Sequence, residues 1–309
     1  RSIDALFKRL QSKFVLGPVV SRINHDFLVQ VRQQKPDVIF VYRGTHLTAK
    51  TLNSIRDELP NCKLIGYNND DPFSPTQPKY LWRHFMGAIP VYDLMLAYRH
   101  GNLEDFKRVG ARKVDLMRSW YVPDRSYPVE LTESDQKKYE CDVVFIGHYE
   151  PDQRLEYLEA IVSKGYTLRL FGPPKYWQKP LEKSSVLSHM WPTRMVWGED
   201  YNKALCGAKI ALCFFSKLNR DTYTRRCFEI PATRTLMLSE YSEDVASLYE
   251  MKVEADYFKS KDEMLAKIDF YCANDAARKN VADHGYTKVR SMGHDIDSRI
   301  SEMLKNVGY

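Results

Sequence analysis

Asp221 and Glu229 stand with seven residues between them in Arg220-Asp221-Thr222-Tyr223-Thr224-Arg225-Arg226-Cys227-Phe228-Glu229-Ile230-Pro231-Ala232. Acids bind the hydroxyls of a sugar or ribose. Arginines bind phosphate through planar forks that match its oxygens. One short segment offering both suits a nucleotide sugar. Phe228 to Ala232 reads as the start of a packed helix, which would hold Glu229 and one of the two adjacent arginines towards a ligand, because neighbours on a helix point in different directions. Arg220 is a third cation for the same phosphates.

The elements that must position this segment read as alternating strands and helices. Apolar runs at 37–42, 62–67, 92–98 and 113–117 read as buried strands. The segment from Thr48 to Leu59 reads as an amphipathic helix. The stretch 121–139 is rich in Pro, Asp, Ser, Thr and Lys and reads as a linker. A second series follows, with strands at 141–147, 167–172, 209–215 and 235–239. Helices are expected over about 152–164 and 201–206, from Lys261, and from about Ala276 and Asp295. Pro173 to Trp191 reads as an irregular packed loop. Strand–helix alternation predicts parallel βαβ units. The expectation is an α/β fold: a first Rossmann-like domain over 1–125, a linker at 126–139, a second Rossmann-like domain over 140–290 and a carboxyl-terminal helix at 291–309. Ligands bind beyond the carboxyl ends of such strands. The loops at Arg43-Gly44, Asn68 to Asp71, Gly147-His148, Gly172 and Asn219 to Arg226 would then line one cleft.

Composition narrows the class. The chain has 309 residues, 44% hydrophobic and 13% aromatic, which is globular. No apolar run reaches the roughly 18 residues of a membrane span. The formal charge of +6 suits polyphosphate ligands or peripheral contact with an anionic membrane. No basic stripe marks a nucleic-acid partner. Six scattered cysteines without a Cys-x-x-Cys pair read as thiols of a reducing, cytoplasmic compartment. The chain opens on Arg1 without a signal-peptide pattern, which reads as a trimmed protein or a piece of a longer one.

Several stretches resemble spore maturation protein CgeB-like glycosyltransferases. They are Asp142 to Arg154 (DVVFIGHYEPDQR), Leu170-Phe171-Gly172-Pro173, Trp197 to Leu205 (WGEDYNKAL), Asp221 to Ala232, and Ala255-Asp256-Tyr257-Phe258 with the helix after it. The order is consistent over about residues 140 to 300. The amino-terminal half is similar mainly at Asn68-Asn69-Asp70-Asp71-Pro72 and at Gly110 to Pro123. The resemblance implies a GT-B fold, two doubly wound Rossmann-like domains facing each other across a cleft, with donor on the second and acceptor on the first. It implies no metal and no cofactor beyond the donor substrate. Related retaining enzymes carry an acid-x7-acid pair. By that resemblance Glu229 would bind the ribose hydroxyls and Asp221 would face the donor sugar, one methylene shorter than the usual Glu. The glycine that often follows Pro-Ala in the family is replaced by Thr233-Arg234.

Breaking the bond to the diphosphate leaves charge that fixed cations and N–H groups must meet. Arg225, Arg226 and Arg220 supply the cations, and the turn at Gly147-His148 supplies amides. Gly172, Trp197 and Gly198 complete the expected donor site, with Trp197-Gly198 beside the base. The acceptor proton would go to Asp71, Asp70 or His84, with Asp71 favoured because it precedes Pro72 at a strand end. Each assignment has a plain rival. Glu229 could only charge a helix start, Asp221 could be a cap or turn residue, and the arginines could be surface residues. The expected function is transfer of a sugar to a hydroxyl of a glycan, protein or small molecule. The alternatives are an epimerase or phosphorylase on the same architecture, or a non-catalytic nucleotide- or glycan-binding module.

Overall fold

A computed structural model describes residues 3–309, with side chains from Ala5 onwards. The chain forms two compact units. The first runs to Arg118 and takes in Ser301–Tyr309, and the second is Ser119–Ile300. Residues 126–139, expected as a linker, therefore belong to the second unit.

The first unit contains α1 (Ile3–Phe14), α2 (Pro18–Gln34), β1 (Val38–Tyr42), α3 (Ala49–Glu58), β2 (Lys63–Asn68), α4 (Lys79–Ala88), β3 (Leu94–Ala97), α5 (His100–Arg108) and β4 (Val114–Leu116). Its strands lie in the order β1-β2-β3-β4 and all pair parallel, with Phe40 beside Ile65 and Ile65 beside Leu94. Val, Ile and Leu runs form these strands because both faces of a parallel sheet are covered. Trp82, Phe85 and Phe106 lead the core, each no more than 1% exposed. Helix α3 starts where Thr48 accepts from the Thr51 N–H at 3.2 Å. Asn306, in the segment that returns to this unit, donates to Asp115 at 2.8 Å, and its carbonyl accepts from Lys113 at 2.8 Å.

The second unit contains α6 (Glu133–Tyr139), β5 (Cys141–Ile146), α7 (Arg154–Ser163), β6 (Leu168–Phe171), α8 (Pro174–Lys183), α9 (Glu199–Cys206), β7 (Ala208–Cys213), α10 (Arg226–Ala232), β8 (Leu236–Glu240), α11 (Glu243–Ala246), β9 (Asp256–Phe258), α12 (Lys261–Ala273), α13 (Asp275–Ser291) and the first half of the helix α14 (Ile296–Lys305). Its parallel sheet runs β6-β5-β7-β8-β9. The chain steps outward from β5 to β6, then returns to the other side of β5 for β7. That reversal opens a crevice at the carboxyl ends of β5 and β7, the ligand position of open α/β sheets.

Two local expectations change. Pro173 to Trp191 is not irregular throughout, because Pro174 begins helix α8. A proline at the first helical position loses no hydrogen bond, and Trp177 and Leu181, four residues apart, bury one face at 0% exposure. Within 121–139, residues 133–139 form α6, opened by a capping box between Thr132 and Asp135. Among the described residues no helix is long and apolar enough to cross a membrane. All six cysteines are free thiols, and Cys213 and Cys227 lie 3.8 Å apart, sulfur to sulfur.

Candidate functional site

The crevice of the second unit holds a cavity of about 400 Å³. Ile146, Gly147 and His148 reach it from the end of β5, and Gly172 and Pro173 from the end of β6. Trp197, Gly198 and Tyr201 come from the start of α9, and Arg225, Arg226 and Glu229 from the start of α10. Eight residues singled out in the sequence thus share one wall system: Gly147, His148, Gly172, Trp197, Gly198, Arg225, Arg226 and Glu229. Arg220 and Asp221 do not line it. They sit in the loop before α10, where the Asp221 N–H donates to the Ser216 carbonyl at 2.9 Å and Arg220 has φ 51°.

Glu229 is the polar centre. Its Oε1 pairs with Arg225 Nε at 2.8 Å, and its Oε2 accepts from the Tyr201 hydroxyl at 2.9 Å. A carboxylate offers about four lone-pair sites, so each oxygen keeps room for a ligand hydroxyl. Burial, and next the Glu229 charge, push the Tyr201 phenol well above its ordinary pKa, so it remains a donor. Arg225 is partly exposed and tied to Glu229. Arg226 turns inward, and its Nε is buried with no hydrogen-bond partner among the described residues. An arginine N–H in that condition is costly unless a ligand accepts it.

The glycines serve close approach rather than amide donation. A Cβ on Gly172 would lie 2.1 Å from the Gly147 carbonyl oxygen and 2.6 Å from Trp177 Nε1. Trp177 Nε1 donates to that same carbonyl at 2.9 Å. The Gly147 N–H donates to the Phe171 carbonyl at 2.9 Å. This corrects the expectation that the Gly147 amide faces a phosphate, because the sheet ladder already uses it. Gly198 has φ 56°, a left-handed conformation that glycine adopts without strain. Beside it Trp197 is 72% exposed at the cavity edge.

His148 packs edge-on against Tyr176, ring centroids 5.2 Å apart. Burial, then the Arg226 charge, lower its pKa below the ordinary histidine value, so it is neutral near pH 7. Its carbonyl accepts from Arg154 Nη1 at 2.6 Å. Arg154 is only 4% exposed, and it also forks onto Asp152 at 2.8 Å and reaches the Phe215 carbonyl at 3.2 Å. It binds the loop after β5 to the loop after β7. Sequence reasoning gave no role to Arg154 or Tyr201. Their partners are 28 residues away for Tyr201 and up to 61 away for Arg154.

The first-unit acids are placed differently. Asp71 is 0% exposed, and its Oδ1 accepts from Phe73 N at 3.1 Å and Asn102 Nδ2 at 2.9 Å. A carboxylate with no solvent-facing surface and these turn-holding bonds does not meet an acceptor, which corrects the preference for Asp71. Asp70 keeps some exposed surface and pairs with Arg43 at 2.6 Å. His84 Nε2 lies 3.1 Å from the Val15 carbonyl. Among the described residues no group of three or more His, Cys, Asp or Glu is placed to hold a metal.

Comparison with known proteins is consistent with this arrangement. Residues 153–305 match the model of a family described as glycosyl transferase-like. Among solved structures, sucrose-phosphate synthase from Thermosynechococcus elongatus superposes with a TM-score of 0.69 at 11% identity, over 94% of this chain and 80% of that one. Anabaena HepE in complex with UDP-glucose gives 0.67 at 12% identity, over 94% and 82%. A glycosyltransferase from Rickettsia africae gives 0.65 at 11% identity, over 94% and 81%. A comparison with curated proteins found no match. At these identities the structures speak to the fold, and the family match speaks to the second unit. Residues 153–305, just under half of the chain, are thus similar to glycosyl transferase-like proteins, and the two parallel α/β sheets have the GT-B fold.

Proposed function

We propose that this protein is a glycosyltransferase that moves a sugar from a nucleoside-diphosphate sugar to a hydroxyl acceptor. What carries the reading is the meeting of Glu229 and the unpartnered Arg226 Nε on the wall of one cavity of about 400 Å³. Glu229, oriented by Tyr201 and Arg225, accepts the two ribose hydroxyls. Arg226 takes a phosphate oxygen and meets the charge that grows on the diphosphate as the anomeric bond breaks. His148, neutral and at the end of β5, is a neutral hydrogen-bonding group beside that charge. The exposed face of Trp197 lies where a base can rest. No resident cofactor enters the reading, because the nucleotide sugar is itself the substrate. Of the two first-unit acids, Asp70 has the exposed surface that an acceptor hydroxyl needs. The CgeB-like resemblance supports the same donor chemistry.

The test is a thermal-shift screen with UDP, GDP, ADP, TDP, CMP and their sugars, on wild type, Glu229→Ala and Arg226→Ala. One nucleoside diphosphate at about 100 times its Kd adds roughly 2.7 kcal/mol, a rise of a few degrees in Tm, and both variants lose it. Slow hydrolysis of the matching sugar nucleotide by wild type then separates an enzyme from a binding module. Silence with every nucleotide sinks the proposal.

A further inference from the structure

The first helix presents its apolar stripe to solvent. In α1, Leu6, Phe7, Leu10 and Phe14 fall at the spacing of one helical face. A packed helix turns such a face inward. Here Leu6 is 59% exposed, Phe7 62%, Leu10 43% and Phe14 38%. The inward side carries instead Gln11, 5% exposed, whose Oε1 accepts from Val19 N at 3.0 Å. The helix is held in this orientation at its far end. Arg83 donates to the Phe14 carbonyl at 2.7 Å, Phe14 packs on Tyr80 with ring centroids 5.3 Å apart, and Val15 is fully buried.

The charge along α1 is predominantly positive. Helix α1 carries Lys8, Arg9 and Lys13 against a single acid, Asp4, and the three cations are exposed, while Arg22 on α2 pairs with Asp26 at 3.7 Å. A second copy of the chain on this face would set three α1 cations against three, with only one acid on each helix to answer them. A bilayer with anionic headgroups answers both features, with acyl chains for the stripe and phosphates for the cations.

We propose that α1 is a docking face for an anionic lipid surface. It lies in the interfacial plane, with Leu6, Phe7, Leu10 and Phe14 in the acyl boundary and Lys8, Arg9 and Lys13 among the headgroups. At 12 residues it lies on the membrane rather than crossing it. The proposal does not rest on the donor site.

Flotation with two kinds of vesicle tests it: phosphatidylcholine mixed with phosphatidylglycerol, and phosphatidylcholine alone. Wild type floats with the mixed vesicles at low salt and less at high salt. Phe7→Ser with Leu10→Ser weakens partitioning by at least about tenfold, since burying one such side chain is alone worth about that factor. Lys8→Gln, Arg9→Gln and Lys13→Gln together weaken it roughly a hundredfold at low salt. Both variants keep the wild-type melting curve and nucleotide response, because the altered side chains are exposed. Three results overturn the proposal: no flotation of wild type with the anionic vesicles, equal flotation of the Phe7/Leu10 variant, or a wild-type dimer that becomes monomeric in that variant. The last would assign the face to a second copy.

Discussion

The Tyr201 hydroxyl donates to Glu229 Oε2 over 2.9 Å, from the first turns of α9 to the first turns of α10. The two helices flank β7 in sequence, so this one bond ties the segment after β6 to the segment after β7 at the cavity. Tyr201→Phe keeps the ring and removes the tie. A hydrogen bond to a charged group is worth about 1.5 kcal/mol or more, so affinity for the stabilising nucleoside diphosphate falls about tenfold. Calorimetric titration checks this. Unchanged affinity would mean that the tyrosine only packs.

Gly172→Ala tests the close approach of the two glycine loops. The added Cβ meets a backbone oxygen at 2.1 Å, which no side-chain motion relieves. The expected loss exceeds about 3 kcal/mol, read as a lowered urea midpoint. Gly87→Ala, on helix α4 with nothing within 4 Å of its Cβ, is the contrast. It stabilises by about 0.5–1 kcal/mol.

Arg154→Met leaves Asp152 and the His148 and Phe215 carbonyls without their shared donor. Removing one partner from a buried charged network costs about 3–5 kcal/mol. Both loops at the cavity loosen together, so the nucleotide response is lost along with stability. Arg154→Lys restores only part of either, because one ammonium does not fork. Chemical denaturation with and without nucleotide measures the two losses separately.

Two histidines set a pH dependence. Burial, opposed by the Ser12 backbone and aided by His84, lowers the His46 pKa. Burial and Arg226, opposed by Glu150, lower that of His148. The unfolded chain therefore takes up these protons before the folded chain does. Stability is fully present above the ordinary histidine value of 6.5 and is lost as pH falls through it to the lowered folded values. Urea midpoints measured from about pH 8 to about pH 5 should decline on the acid side, and less steeply in His148→Gln.

The strands were legible because parallel strands must be apolar on both faces, and Val38–Tyr42 or Ile210–Cys213 within β7 are unbroken apolar runs. Asp256–Phe258 was not read as a strand, since it opens on a charged Asp and follows Lys252 and Glu254, which break up any apolar run. Helix α8 was hidden by Pro173, Pro174 and Pro180, which read as breakers although the first two precede or open the helix. The outward stripe of α1 was not read at all, because periodicity identifies an apolar face without saying which way it turns.

Much of the cavity wall was legible for a topological reason. Loops after strands of one parallel sheet share one end of it, so Gly147, Gly172 and the Arg225–Glu229 segment were bound to meet. What escaped depends on partners distant in sequence. Asp71 is buried by Asn102, 31 residues on, and Arg154 finds Phe215 61 residues on. No local pattern encodes those pairings.

The return of Ser301–Tyr309 to the first unit has a consequence for the order of events on the ribosome. Domains ordinarily fold in the order in which they are made. Here Lys113 and Asp115, at the edge strand β4, wait for Asn306. The unit begun first is thus completed last, after every residue of the other has been synthesised.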